Sequence, residues 1–580
     1  MPSRRVLTAP VGGEDRRRVA FTFDGRRYEG VEGEPVAVSL LAAGRRTLSR
    51  SFRFHRPRGL MCSTGQCGWC ECEVDGRLSV RTCRVPVRDG MVVRGEHAWP
   101  SVERDLLAVL DLGSRFVPPT FYHHRFLRPR RLRKAYLDVL RWFGGRGRLG
   151  SGSATDRRPR AVRRDDPDVL VIGGGRSGLL AALGAAETGA RVVVLEAGTT
   201  ADLDPAVGDL VVEARALGVD VRAGTTATGW YGGLVTALDD KAVWELSPGA
   251  VVAATGTYES VPAVSGSDRP GVLSARLAGS LLARHGVLPG ERALLVGSGE
   301  ELRSIGAALE GAGGRVVGPI PTADLRAIGG WGSVASARFV DAGGVERRQR
   351  VDVVIIGDRT PNLDLLLAAG ASVGWSEGRL SPQADPDGAT SVPGLFVAVG
   401  PTGHGPAMAD ARARQAGLAA AGCARDWSAA WRRPVGHPKT VATRAGDPPR
   451  STTDGRPPPP GSAQAVLCFC EDVRGREIQA ERGAGYGDPE LVKRRTGALT
   501  GPCQGKYCLS SVMCAMAADT AAPAHTGRPA DTSTPATLWG VPTNRPPLRP
   551  IRLGDLVTEE GAPAPTKVGP AVPVGGDPRP

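Results

Sequence analysis

Asp168-Val169-Leu170-Val171-Ile172-Gly173-Gly174-Gly175-Arg176-Ser177-Gly178-Leu179 is the stretch on which the fold turns. Four apolar residues run into a glycine cluster and then into an Ala/Leu-rich segment, the order strand, tight turn, helix. Gly173 makes the tight turn, Gly175 lets a pyrophosphate approach the backbone, and Gly178 lets helix and strand pack closely. Gly174 and Ser177 complete the loop, and the N-terminus of the helix then faces the anion. A second strand, Arg191-Val192-Val193-Val194-Leu195-Glu196, ends in an acid roughly 20 residues on, placed to accept ribose hydroxyls. A glycine motif alone is a weak signal; with both strands, the helix and the acid it becomes a strong one.

Outward from this unit, residues 168–425 repeat apolar strand, glycine turn and Ala/Leu helix, which is α/β texture. A second unit opens at Ala293-Leu294-Leu295-Val296-Gly297-Ser298-Gly299-Glu300-Glu301-Leu302. Its third glycine is replaced by Leu302, and the next strand, Arg315-Val316-Val317-Gly318, carries no terminal acid. The fold signal survives there while the nucleotide signal is damaged, so Gly297 and Gly299 stand as candidate NAD contacts in a fold that could equally be vestigial. Ala254-Thr255-Gly256 precedes this unit, Asp352–Asn362 follows it, and Gly394-Leu395-Phe396-Val397-Ala398-Val399-Gly400 comes later.

This order resembles the pyridine nucleotide-disulfide oxidoreductase class of two-dinucleotide flavoproteins over about 168–425. The resemblance implies FAD on the first fold, held by Gly173, Gly174, Gly175, Ser177, Gly178 and Glu196. It also implies that Thr255 and Gly256 lie at the crossing into the NAD-like domain and that Gly400 lies where the late strand returns to the flavin. Two departures stand out. No cysteine lies between Cys83 and Cys423, so the chain is not expected to be a disulfide reductase; and the acid expected after the last glycine is Pro401. His404, near the expected flavin, reads as a loop histidine.

The N-terminus has charge but no apolar h-region, and no run approaches the ~18 apolar residues of a membrane span. The chain therefore reads as cytoplasmic, where clustered thiols are metal ligands more often than disulfides. Nine of the 11 cysteines fall in two short windows. In the first, Cys62-x4-Cys67-x2-Cys70 with Cys83 beyond has the plant-type ferredoxin spacing. A [2Fe-2S] rhomb needs four thiolates, three from one loop and one from a neighbouring strand; Gly65 and Gly68 let that loop curl. A zinc knuckle would favour paired C-x2-4-C units, which this triplet fits poorly. Upstream, residues 18–41 read as a hairpin with Val19, Phe21 and Phe23 alternating and an Asp24-Gly25 turn, then a helix at about 36–43. Ser51-Phe52-Arg53-Phe54-His55-Arg56-Pro57-Arg58-Gly59 forms a basic apron, a phosphate contact or a solvated strand edge.

The second window places Cys468-Phe469-Cys470 before Cys503-Gln504-Gly505-Lys506-Tyr507-Cys508, with two short helices around a turn between them. This resembles the bacterioferritin-associated-ferredoxin-like [2Fe-2S] domain, which implies Cys468, Cys470, Cys503 and Cys508 as ligands; zinc is the alternative. Cys72, Cys423 and Cys514 remain as packing residues.

Taken together, FDGRRYEGVEGEP, RSFRFHRPRG, ATGTYES, CFCEDV and TGPCQGKYC make the chain resemble, over about 18–516, the α subunit of heterotetrameric sarcosine oxidase. It also resembles the joined A and B subunits of hydrogen cyanide synthase and related amino-acid dehydrogenases. The folate-binding aminomethyltransferase-like domain of sarcosine oxidase α has no room in 580 residues. The resemblance implies an electron-transfer subunit with FAD and two [2Fe-2S] clusters, and NAD or an interface FMN as further candidates. Its implied partners are an electron acceptor and an FAD-dependent amino-acid oxidase-like β subunit. A self-contained NAD(P)H-dependent reductase is the alternative, and a non-enzymatic iron–sulfur protein the third reading.

The expected architecture is α/β, a two-dinucleotide-binding-domain flavoprotein with an N-terminal ferredoxin-like [2Fe-2S] domain and a C-terminal small helical one. It divides as cluster domain 1–100, helical connector and linker 101–166, flavin domain 167–285 and 383–430 around an NAD-like fold 286–382, Pro-rich linker 431–464, second cluster domain 465–516 and tail 517–580. Net charge is +14, with 74 Lys+Arg against 60 Asp+Glu, yet only six of the 74 are Lys. With Ala, Gly and Pro abundant everywhere, this reads as a coding bias, and no nucleic-acid partner is expected.

Overall fold

The computed structural model describes Arg5 and residues 17–62, 64–114, 130–143, 159–198, 205–376, 378–398, 406–427, 461–517, 541–542, 544–551 and 553–558. The N-terminal hairpin forms as read: Arg18–Phe23 pairs antiparallel with Arg26–Val31, Phe23 opposite Arg26. Asp24 and Gly25 both take positive φ, 47° and 75°, the backbone of a type I′ turn whose twist matches its strands. Val19, Phe21 and Phe23 point inward, at most 3% exposed. Three further strands complete a mixed five-stranded sheet in the order Arg26–Val31, Arg18–Phe23, Val92–Gly95, Glu71–Val74, Arg77–Arg81. Helix Val36–Ala42, buried along its whole length, covers it.

The flavin-type fold is a five-stranded parallel sheet in the order Asp220–Ala223, Val192–Glu196, Val169–Ile172, Ala250–Ala253, Leu395–Val397. Its central strands are buried on both faces, as parallel sheets with two covered faces require. Helices Arg176–Ala186 and Pro406–Trp427 pack on one another across it. The late strand Leu395–Val397 returns beside Ala250–Ala253, as expected. A four-stranded sheet, Thr226–Tyr231, Leu234–Leu238, Ala242–Leu246 and Ala161–Asp165, lies alongside. Ala161–Asp165 falls inside the stretch read as linker over 144–166. It is instead an edge strand parallel to Ala242–Leu246, held by Arg164–Glu245 and by Arg163 over Trp244. Residues 144–158 lie outside the described residues.

The second dinucleotide-type fold has the parallel order Val272–Ser274, Val353–Ile356, Arg292–Val296, Arg315–Ile320. Its core is continuous with that of the N-terminal sheet: Phe21, Leu40 and Val93 share one apolar cluster with Leu281, Leu295 and Ile355. Arg46 clasps the two, bonding the Asp352 carboxylate at 2.7 Å. The C-terminal unit is a short hairpin, Val466–Cys468 with Val473–Arg474, then helices Gly475–Gly483, Pro489–Thr496 and Leu509–Ala517. In the tail, Leu548 bonds back to Thr228 and Asn544 to Asp364. Among the described residues, no helix is long and apolar enough to cross a membrane.

Candidate functional site

Gly65 and Gly68 both take positive φ, 73° and 72°, and the loop between them curls three cysteines inward. Cys62, Cys67 and Cys70 come from that loop and Cys83 from the turn Thr82–Arg84; all four are at most 4% exposed. None is in a disulfide. The thiols act on one another, Cys67 most strongly on Cys62 and Cys83 on Cys70. Burial raises the Cys62 thiol, but Cys67, Thr64 and Tyr507 outweigh it and hold Cys62 well below the usual range. Burial and the Cys62 contact push Cys67 up. Likewise Cys83 holds Cys70 low, and Cys70 pushes Cys83 up. Cys72, the fifth cysteine of the window, turns away and donates to the Leu48 carbonyl at 3.3 Å, in keeping with packing.

The second set also gathers four thiols, linked in a chain from Cys470 through Cys503 and Cys508 to Cys468. Cys468, Cys503 and Cys508 are buried and Cys470 partly so. Contacts to Cys470 and Cys508 hold the Cys503 thiol well below its usual range. Contacts push Cys470 and Cys508 well above theirs, Cys503 acting on the first and Cys468 with Cys503 on the second. Cys514 lies apart on helix Leu509–Ala517, its thiol pushed up to about 12 by burial, and Cys423 sits on helix Pro406–Trp427. Among the described residues no three or more His, Cys, Asp or Glu close on a single ion. A two-iron rhomb carried by four cysteines takes thiolates two to each iron. In the second set, as in the first, the donors are soft, free and shielded from water.

The sequence did not reveal that the two windows touch. The Cys470 sulfur lies 3.9 Å from the Cys67 carbonyl oxygen. Trp69 and Phe469 meet edge to face at 5.0 Å, and Arg81 reaches the Pro502 carbonyl at 3.4 Å. The basic apron fastens this contact. It is neither a phosphate site nor a solvated edge, because its arginines are buried and paired. Arg58 bonds Asp268 at 3.0 Å and Asp472 at 2.6 Å. Arg53 bonds Glu477 at 2.8 Å, and Arg56 bonds Asp111 at 2.7 Å. Buried arginine is tolerable only with such partners.

At the first glycine motif each glycine has a steric reason. A Cβ on Gly173, at φ 115°, would stand 2.1 Å from the Ala254 carbonyl oxygen, and one on Gly178 would stand 1.8 Å from that of Gly173. Gly175 opens on empty space at the start of helix Arg176–Ala186, leaving its amide end free for a pyrophosphate. Glu196 spans the mouth, accepting from the amides of Gly174 at 2.7 Å and Gly198 at 2.6 Å. Ser177 follows Arg176 in the first turn, where Arg176 pairs with Asp410. Thr255 and Gly256 are tied to Asn362 through three hydrogen bonds of 2.9–3.3 Å. Gly400, Pro401 and His404 lie outside the described residues. This cradle suits a dinucleotide. Gly178→Ala, which drives a methyl into backbone, is expected to cut flavin content by about tenfold or more, at least about 1.4 kcal/mol of binding, read as the flavin-to-protein ratio.

The second glycine motif is built differently. Gly297 and Gly299 take φ 116° and 105°, but the Asp358 carboxylate sits where a Cβ on Gly297 would stand, 2.9 Å away. Helix Glu300–Gly311 opens with two acids in its first turn, and Leu302 packs against Gly357. The motif thus carries Glu300 and Glu301 at its helix start and Asp358 beside Gly297, with Arg359 paired to Glu301 and Arg379 3.7 Å from Asp358. Like charge at that spot opposes a bound anion.

Fold and site define a two-dinucleotide-domain flavoprotein with a ferredoxin-like iron–sulfur module. Residues 16–98 match the 2Fe-2S iron-sulfur cluster binding domain, and residues 168–207 match the FAD binding domain; FAD and an iron–sulfur cluster are its cofactors. The chain is similar to the alpha subunit of sarcosine oxidase from Rhizobium meliloti (strain 1021), 29% identical over 84% of this chain. It spans only 54% of that relative's length. An opine oxidase subunit from the same organism is 28% identical over 67% of this chain and 98% of its own length. The crystal structure of L-proline dehydrogenase from P. horikoshii superposes with a TM-score of 0.62 over 95% of this chain and 99% of its own, at 21% identity; that likeness is one of fold.

Proposed function

We propose that this chain is the electron-transfer subunit of a heteromeric amine or amino-acid dehydrogenase or oxidase acting on a sarcosine- or proline-like substrate. A partner β subunit, related to FAD-dependent amino-acid oxidases, removes a hydride and a proton from the CH–NH unit. The product is an imine, which water hydrolyses to a carbonyl compound and an amine. When bound, this chain's FAD takes up the electron pair and its clusters carry electrons singly to an acceptor. The residues here supply containment and order. Gly173, Gly175 and Gly178 shape the dinucleotide cradle, and Glu196 receives the ribose. Cys62, Cys67, Cys70 and Cys83 hold one cluster; Cys468, Cys470, Cys503 and Cys508 hold the second.

The observation that carries this reading is the contact between two buried four-cysteine sets in one chain with a flavin fold. Such a pair serves relay better than bond-making. The named relatives, subunits of sarcosine oxidase and of opine oxidase, supply the substrate class. The acidic second motif supports electron entry from a partner rather than from a nicotinamide. In anaerobic titrations of the purified chain, NADH and NADPH are expected to leave the visible flavin band intact while dithionite bleaches it. Rapid bleaching by either nucleotide would replace this reading with a self-contained reductase.

A further inference from the structure

Helix Arg130–Phe143 takes no part in the sites described above. Two series run through it at helical spacing. Leu132, Tyr136 and Val139 form one, which the sequence extends to Leu140 and Phe143; Arg130, Arg133 and Lys134 form the other, extended to Arg141. With Arg131 this makes five cations against the single acid Asp138. A helix of a globular core turns its apolar series inward. Here Leu132 is 52% exposed and Val139 48%, and Arg131, Arg133 and Lys134 are exposed with no carboxylate partner among the described residues. The preceding short helix, Leu106–Asp111, buries none of its residues. Seven of the 17 large apolar side chains exposed among the described residues fall between positions 99 and 139, so this exposure is concentrated rather than scattered. The Arg-rich coding of the chain accounts for the number of arginines, not for their separation from leucine and valine around one helix.

We propose that helix Arg130–Phe143 is a membrane-surface anchor that lies on anionic phospholipid, with its leucine and valine series at the headgroup–acyl boundary and its arginines and lysine at the phosphates. A helix of this length, about 21 Å, is too short to span a bilayer, and a short segment that separates apolar from cationic residues lies in the interface plane. Charge complementarity favours lipid over a protein groove. A groove would engage the apolar side and ask little of the polar one, whereas here the polar side is cationic with one exception and matches a surface that is anionic throughout. Each Lys or Arg held near such a surface is worth about fivefold in partition. The inference does not depend on the cofactor assignments. On the function proposed above, it also brings the chain to the phase that holds lipid-soluble electron acceptors.

The test is co-sedimentation of the full chain with vesicles of phosphatidylcholine, alone or mixed with phosphatidylglycerol. The mixed vesicles should carry the chain down and the neutral ones should not, and rising salt should release it. Arg131→Gln, Arg133→Gln and Lys134→Gln together should lower the partition coefficient by about 100-fold, three cations at about fivefold each. Leu132→Ser with Val139→Ser, which leaves the charge unchanged, should lower it by about tenfold. Because the whole chain carries +14, the control is Arg326→Gln with Arg348→Gln and Arg350→Gln, which removes the same charge elsewhere and should leave binding near the parent's. All substituted positions are exposed, so visible absorbance and thermal unfolding should match the parent in each variant. Equal loss in the control reduces the binding to net charge and overturns the proposal, as does a serine variant that binds like the parent. A parent that ignores the mixed vesicles overturns it too and assigns the helix to a protein interface.

Discussion

Cys67→Ala is expected to abolish one EPR signal of the reduced protein and leave the other, and Cys503→Ala to do the converse. Each set supplies four thiols with no spare: in the first window Cys72 is committed to the Leu48 carbonyl, and in the second Cys514 lies on a separate helix. Loss of one ligand therefore has no local substitute. The contact adds a second expectation. With the Cys470 sulfur 3.9 Å from the Cys67 carbonyl, two reduced clusters should broaden one another's signals. The signal that survives each substitution should accordingly be narrower than in the parent. If both signals vanish with either change, the two-site account is wrong. If the survivor's line shape is unchanged, the windows do not bring two clusters into contact.

Arg58→Met is expected to cost about 3–5 kcal/mol, the usual result of removing one partner from a buried ion pair. Arg58 is 3% exposed and ties its own segment to two others. It bonds Asp268 beside the second dinucleotide fold, and both the Asp472 carboxylate and the Phe469 carbonyl of the C-terminal unit. Methionine fills the space and leaves two buried carboxylates without their main counter-charge. Chemical denaturation should show the loss, together with a weakened second cluster. An unchanged denaturation midpoint would mean that the seam does not hold the units together.

The same variant carries a pH signature. Burial raises the Asp268 carboxyl, but Arg58 and Arg56 outweigh it and hold it below the ordinary carboxylate range. A group held low contributes stability above its unfolded pKa, about 3.9 for Asp, and loses that contribution as pH falls through its folded value. Without Arg58, burial dominates and the protonated carboxyl is the better guest. The stability gap between parent and variant should therefore be widest near neutral pH and should narrow through the acidic range. A gap independent of pH would point to lost packing against Trp69 rather than lost charge.

What the sequence made legible was local. Gly173 and Gly178 could be read because their demand is met within a few residues of chain, and the Cys62–Cys67–Cys70 spacing because one loop wraps one cluster. The Asp24-Gly25 turn was legible for the same reason. What stayed hidden depended on distant partners. Cys67 and Cys470 are 403 residues apart and meet only because Arg58, Arg53 and Trp69 find Asp472, Glu477 and Phe469. Read alone, the apron's charge suggested phosphate or solvent, since no local feature announced carboxylates at 111, 268, 472 and 477. Ala161–Asp165 looked like linker because its flank is Arg- and Gly-rich; its strand character comes from pairing with Ala242–Leu246. At the second motif the acids Glu300 and Glu301 were visible, but the third carboxylate at Asp358 comes from another strand end.

On the function proposed above, one chain holds a flavin and two iron–sulfur clusters. Anaerobic purification followed by iron, acid-labile sulfide and flavin analysis tests this. Two [2Fe-2S] clusters and one FAD predict about four irons, about four sulfides and about one flavin per chain. About two irons and two sulfides, or zinc in place of the second pair of irons, would contradict it.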